Sequence, residues 1–119
     1  MALITKLHFE RLAQNGRENA VRISKDGQTI DHFPVVKLFT PDGSATWLLS
    51  EIDPVDNDLA FGLCDLGLGS PELGSVRLSD IASLRGRLGL PVERDRHFVA
   101  VGRLSVYAAI AHAEGRIVA

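Results

Sequence analysis

Seven carboxylates stand between Leu38 and Val76 with no Lys or Arg among them: Asp42, Glu51, Asp53, Asp56, Asp58, Asp65 and Glu72. Two kinds of chemistry can come from that. Carboxylates brought close together can share a metal ion or work as an acid and base pair. Carboxylates spread over a surface make a field that draws a basic partner. Glu51 and Asp53 are the pair to test for the first kind. Two apart on an extended chain, they point the same way at roughly 7 Å. A metal needs a further ligand, and His8, His32, His97 and His112 are scattered without ligand spacing. Asp53 before Pro54 is also a common turn starter, which explains it without chemistry.

Glu93-Arg94-Asp95 with His97 is the densest polar group. A His beside an Asp can act as a general base, and the same run reads as a loop with internal ion pairs. Neither Ser nor Cys64 has the glycine-flanked spacing of a nucleophile elbow. Cys64, the one cysteine, excludes an internal disulfide and reads as a small core residue. The glycine-rich stretch 67–74 invites a nucleotide reading, but Glu72 stands where a dinucleotide fingerprint needs its third glycine. Ser75 stands where a P-loop needs Lys. A tight structural loop is expected there, with no cofactor and no metal.

The positive charge lies on either side of the acidic window. Ten of the thirteen cations are Arg, and Arg77, Arg85, Arg87, Arg94, Arg96 and Arg103 crowd the segment C-terminal to it. They can pair with the acids inside the fold. Arg85, Arg87, Arg94 and Arg96 are also the candidates for nucleic-acid contact, although aromatic interleaving is sparse and the net charge of −2 opposes nonspecific DNA affinity.

The elements that must position these groups are marked by turn and capping signals. Thr5 caps a first helix, with Asn15-Gly16 as its stop. Residues 17–33 read as polar and irregular. Residues 34–40 form a strand by their β-branched and aromatic content. Pro41-Asp42-Gly43 turns the chain into a second strand over 45–52, and a third comes over 59–65. A short fourth strand is expected over 75–78 and a fifth over 97–101. Ser79 caps a short helix over 80–85, and Ser105 caps a final helix over 106–114 that Gly115 stops. In the second strand Trp47 and Leu49 share one parity, Leu48 and Ile52 the other, so both faces of the sheet should be covered. The fold class is therefore α+β: a small antiparallel sheet of three to five strands, a central meander, with N-terminal, middle and C-terminal helices packed on it. Trp47 is expected in the core; only if exposed beside the acids would it anchor an interface.

A chain of 119 residues makes one domain, 1–119. No apolar run approaches the ~20 residues of a membrane helix, and charge interrupts the N-terminus too early for a secretory signal. A cytoplasmic protein, monomeric or weakly dimeric, is the expectation.

Val-Val-Lys-Leu-Phe-Thr-Pro-Asp-Gly (35–43), Thr46-Trp47, Glu51 with Asp53-Pro54, Phe-Gly-Leu-Cys-Asp-Leu-Gly-Leu-Gly (61–69), Glu-Leu-Gly (72–74) and Gly-Leu-Pro-Val-Glu-Arg-Asp (89–95) before Phe98 form an ordered series. It resembles domain-of-unknown-function family 2958 over nearly the whole chain. Arg87 and Ser75 depart from the pattern. The resemblance implies a bacterial protein of plasmids and integrative mobile elements, with no assigned activity or catalytic residue.

The combined expectation is a non-catalytic accessory protein of a mobile element. Its acidic surface, formed by Asp42, Trp47, Glu51, Asp53, Asp56 and Asp58, would meet a basic protein partner. A nucleic-acid-handling defence complex is such a partner, which makes the chain an anti-CRISPR or anti-restriction inhibitor. The alternatives are a small metal-assisted hydrolase using Glu51, Asp53 and His97, or an Arg-face nucleic-acid binder in plasmid transfer or maintenance.

Overall fold

The computed structural model describes residues 3–119. Helix α1 (Lys6–Asp26) leads into strands β1 (Val36–Phe39), β2 (Thr46–Ile52), β3 (Leu59–Asp65) and β4 (Glu72–Arg77). Helix α2 (Leu78–Ser83), strand β5 (Glu93–Arg94) and helix α3 (Leu104–Glu114) complete the chain. The strands form one antiparallel sheet in the order β4-β3-β2-β1-β5. The expected α+β architecture is therefore present, with all three helices. No helix among the described residues is long and apolar enough to cross a membrane.

The sheet is covered on both faces. Leu12 of α1 packs against Val36, Leu38, Trp47, Leu49 and Ile52 on one side. Leu104, Tyr107, Ala108 and Ala111 of α3 pack against Leu48 and Leu63 on the other. The two-sided apolar content of β2 is thus explained by three layers. Strict alternation fails at one place. Register passes from Leu49↔Gly62 to Glu51↔Phe61, so Ser50 is an extra residue, a β-bulge. Beyond it Ile52 returns to the Trp47 face, and Glu51 shares the face of Phe61, which packs on the α3 side.

Helix α1 begins as expected, with the Thr5 hydroxyl accepting from the His8 amide at 3.0 Å. It does not stop at Gly16 but runs ten residues further, to Gly27 in the left-handed region at φ 74°. Gly16 is there for proximity. A Cβ built on it would lie 1.8 Å from the Ile52 carbonyl oxygen, so only glycine lets α1 lie this close to β2. The segment from 17 to 26, expected to be irregular, is helical: Asn15, part of the expected stop, and Asn19 tie the helix's buried face to the sheet. Asn15 Nδ2 donates to the Ser50 carbonyl at 2.9 Å.

Other boundaries differ from expectation for similar reasons. The fourth strand starts at Glu72, earlier than expected, because β3 continues to pair down to Cys64↔Glu72. Residues 97–101 are not a strand; the fifth strand is Glu93–Arg94, paired with Leu38 and Phe39. Helix α2 covers 78–83 instead of 80–85, and Ser79 is not its cap. Asp58 performs that role from another loop, accepting from the Ser79 amide at 2.9 Å. Asp31 does the same for α3, accepting from the Ser105 amide and hydroxyl. Gly115 ends α3 as expected.

Candidate functional site

The seven carboxylates do not form one face, because several are used up inside the fold. Asp65 is 3% exposed; its two oxygens accept from the Gly67 and Ile117 amides at 2.8 and 2.9 Å. The Gly67 amide that a bound phosphate would need is therefore already taken. Asp42 turns toward the 86–90 segment, where its Oδ2 accepts from the Leu88 and Leu90 amides at 2.7 and 3.2 Å. Trp47 is 2% exposed between β1 and β3. It is a core residue and not an interface residue: an aromatic ring in the middle strand has no route to a partner. Cys64, opposite Trp47, is half-buried, and burial pushes its thiol pKa up.

What remains together is the β2–β3 loop, 53–58. Asp53 Oδ1 accepts from the Val55 and Asp56 amides at 2.8 and 2.9 Å, an Asx turn of the kind Asp-Pro favours. Asp56 Oδ1 accepts from the Asp58 amide at 3.1 Å, and its Oδ2 pairs with Arg77 at 2.9 Å. That guanidinium and the Asp58 amide hold the Asp56 carboxyl below its usual pKa. Asp58 binds Ser79 through both oxygens and lies 3.7 Å from Arg77. Val55, in the same loop as these three carboxylates, is 94% exposed. The carboxylates keep partial exposure, and Arg77 is the one cation paired with them among the described residues.

Glu51 is adjacent but different. It is half-buried, and Asn19 Nδ2 donates to its Oε2 at 2.7 Å. Burial raises its pKa; the Asn19 bond and the charge of His32 oppose that rise. Glu51 and Asp53 do line one small cleft of about 210 Å³ with Asn19 and Phe61. The rest of the expected acid–base set lies elsewhere. Asp95 pairs with Lys37 at 3.6 Å and lines a separate cleft with Thr46. His97 and Glu93 are exposed. Among the described residues no three His, Cys, Asp or Glu side chains converge as metal ligands.

Of the four arginines expected to contact nucleic acid, two also hold the fold's own backbone. Arg85 donates to the Ala82 and Leu84 carbonyls, finishing α2. Arg94 donates to the Leu3 carbonyl at 2.9 Å. Arg87 and Arg96 are exposed.

Sequence reasoning missed His8, His32, Asn15 and Asn19 as a group. The two histidines line a cleft of about 510 Å³ at the outer side of the segment before β1. His8 Nδ1 and His32 Nε2 are buried with no hydrogen-bond partner among the described residues. Burial, and then the nearby Arg94 charge, hold the His8 pKa below its usual value. Their separation of twenty-four residues leaves no local motif to find.

Residues 3–118 match the family model described as "Protein of unknown function (DUF2958)". No curated protein and no solved structure matches the chain. With nearly its whole length matched, the chain belongs to that family.

Proposed function

We propose that this family member is a non-catalytic binding protein that meets a basic protein partner through its β2–β3 loop. The observation that carries the reading is Val55, 94% exposed and flanked by Asp53, Asp56 and Asp58. An exposed apolar side chain in a loop that carries three carboxylates supplies a desolvating contact and a charge match together. The loop is also pre-ordered: each carboxylate is fixed by at least one backbone amide. Ordering cost on binding is correspondingly small. Partners that handle nucleic acid carry the basic surface this loop complements. The mobile-element setting implied by the family resemblance suits an inhibitor of such a partner, an anti-restriction or anti-CRISPR protein.

The test uses two baits. One is the wild-type chain. The other combines Asp53→Asn, Asp56→Asn, Asp58→Asn and Val55→Ser, which keeps the amide acceptors and removes the charge and the exposed apolar side chain. Affinity capture from bacterial lysate at low salt should give the first bait a basic partner that elutes as salt rises. The second should lose it while retaining its thermal unfolding transition. Equal capture by both baits refutes the reading.

A further inference from the structure

The cleft beside β1 shares no lining residue with the β2–β3 loop, so a ligand bound there would be independent of a partner at that loop. Among the described residues β5 pairs only with Leu38 and Phe39, and no strand lies on the outer side of the segment 32–35. The first half of α1 and the segment 98–103 close over that gap from either side, leaving about 510 Å³ between them. That is the size range of small-molecule sites, which combine apolar walls with a few placed polar groups.

Apolar side chains and guanidinium groups share the lining. Phe33, Leu7 and Val99 are large apolar side chains on its wall that stay exposed. Phe98 is held by Tyr107, their ring centroids 6.3 Å apart. Arg11 and Arg103 supply the charge, and among the described residues no Asp or Glu lines the cleft. Arg103 is positioned: it donates to the Asp31 carbonyl at 2.9 Å, and its guanidinium carbon sits 5.5 Å from the Phe33 ring centroid. The Asp31 carboxylate is engaged by Ser105, and Arg103 has no ion pair among the described residues. Arg11 has no ion pair among the described residues. Finally, two lining residues carry buried ring nitrogens that lack partners among the described residues. A buried polar atom without a partner is costly, and a bound polar group removes that cost.

We infer that this cleft binds a heteroaromatic organic anion of nucleoside-monophosphate size, with its anionic head at Arg11 and Arg103 and its flat body, bearing hydrogen-bonding edges, against Phe33, His8 and His32. Each feature of the wall selects one part of that ligand. Unpaired guanidinium groups select a phosphate or carboxylate head. Exposed aromatic and aliphatic walls select a flat body. Ring nitrogens without partners select edges with donors and acceptors.

The experiment is an NMR titration of the full chain with adenosine monophosphate, uridine monophosphate, inorganic phosphate and benzoate, read at the ring protons of His8 and His32. Saturable shifts at both rings are expected for at least one nucleotide, with Kd below about 1 mM. Phosphate and benzoate should bind at least about tenfold more weakly, since each offers only part of what the wall asks for. Arg11→Ala should weaken the nucleotide about tenfold or more. Arg17→Ala, on the same helix but outside the cleft, should leave it unchanged. Four results overturn the inference: no saturable shift with either nucleotide, phosphate or benzoate binding as tightly as the nucleotides, equal loss in the two arginine variants, or no loss in Arg11→Ala.

Discussion

Gly16→Ala should destabilise this protein severely, although alanine is the better helix former by about 1 kcal/mol. The new Cβ would lie 1.8 Å from the Ile52 oxygen and 2.9 Å from its carbonyl carbon. A relaxed contact sits near ~3.5 Å, so helix and strand must part by roughly 1.5 Å at that point. The two anchors on either side then stretch. Asn15 to the Ser50 carbonyl is 2.9 Å and Asn19 to Glu51 is 2.7 Å, and both would exceed the ~3.2 Å at which such bonds hold. The first is a neutral bond of about 1 kcal/mol and the second a charge-assisted one of about 2 kcal/mol. Overpacking strain adds about 1–3 kcal/mol. After subtracting the helix gain, the net loss is about 3–5 kcal/mol, a large share of the ~5–15 kcal/mol that holds a domain folded. Urea unfolding monitored by the fluorescence of Trp47, buried in the core, measures this directly. Melting should fall by about 10 °C or more. Gly27→Ala is the control: its φ is 74° and no atom lies within 4 Å of an added Cβ, so only the backbone penalty of about 1 kcal/mol applies. Stability of Gly16→Ala within about 1 kcal/mol of wild type would show that the close approach of α1 to β2 does not hold the layer in place.

Three other perturbations have expected outcomes. Glu51 has a raised pKa in the fold, so the folded state holds its proton more tightly than the unfolded one; stability should fall as pH rises from the unfolded pKa through the folded one, and Glu51→Gln should flatten that slope in urea titrations between pH 4 and pH 7. Asp65→Asn puts an amide nitrogen against one of two amides that Asp65 now accepts from, and should cost about 1–3 kcal/mol by calorimetry. Asp42→Ala should release the 86–90 turn, seen as faster hydrogen exchange at the Leu88 and Leu90 amides with β2 and β3 protection unchanged.

The candidate site is only partly readable along the chain. Asp53-Pro54 announces its own turn, because an Asx turn is made by residues two and three apart. The role of Asp58 is hidden, since the amide it caps belongs to Ser79, twenty-one residues away. Asp42 reads in sequence as part of the acidic surface and instead holds amides at 88 and 90. Trp47 reads as core and is core, because its neighbours in β2 are apolar on both parities.

Local chemistry along the chain settled the order of the helices and of β1 to β4, the β3 limits, the Gly115 stop and the need to cover both faces of the sheet, because each depends on neighbours within a few positions or on the two-residue period of a strand. Tertiary structure decided the rest. Asn15-Gly16 looks like a helix stop until the Ser50 and Ile52 carbonyls are placed against it. The Ser50 bulge sends Glu51 and Ile52 to opposite faces from those their parity predicts, since an extra residue reverses alternation wherever it falls. The carboxylates of one sequence window end in separate places because they took donors near them in space: the Leu88 and Leu90 amides for Asp42, Asn19 for Glu51, Ser79 for Asp58, and the Gly67 and Ile117 amides for Asp65. Distance in space is the quantity a linear sequence does not carry.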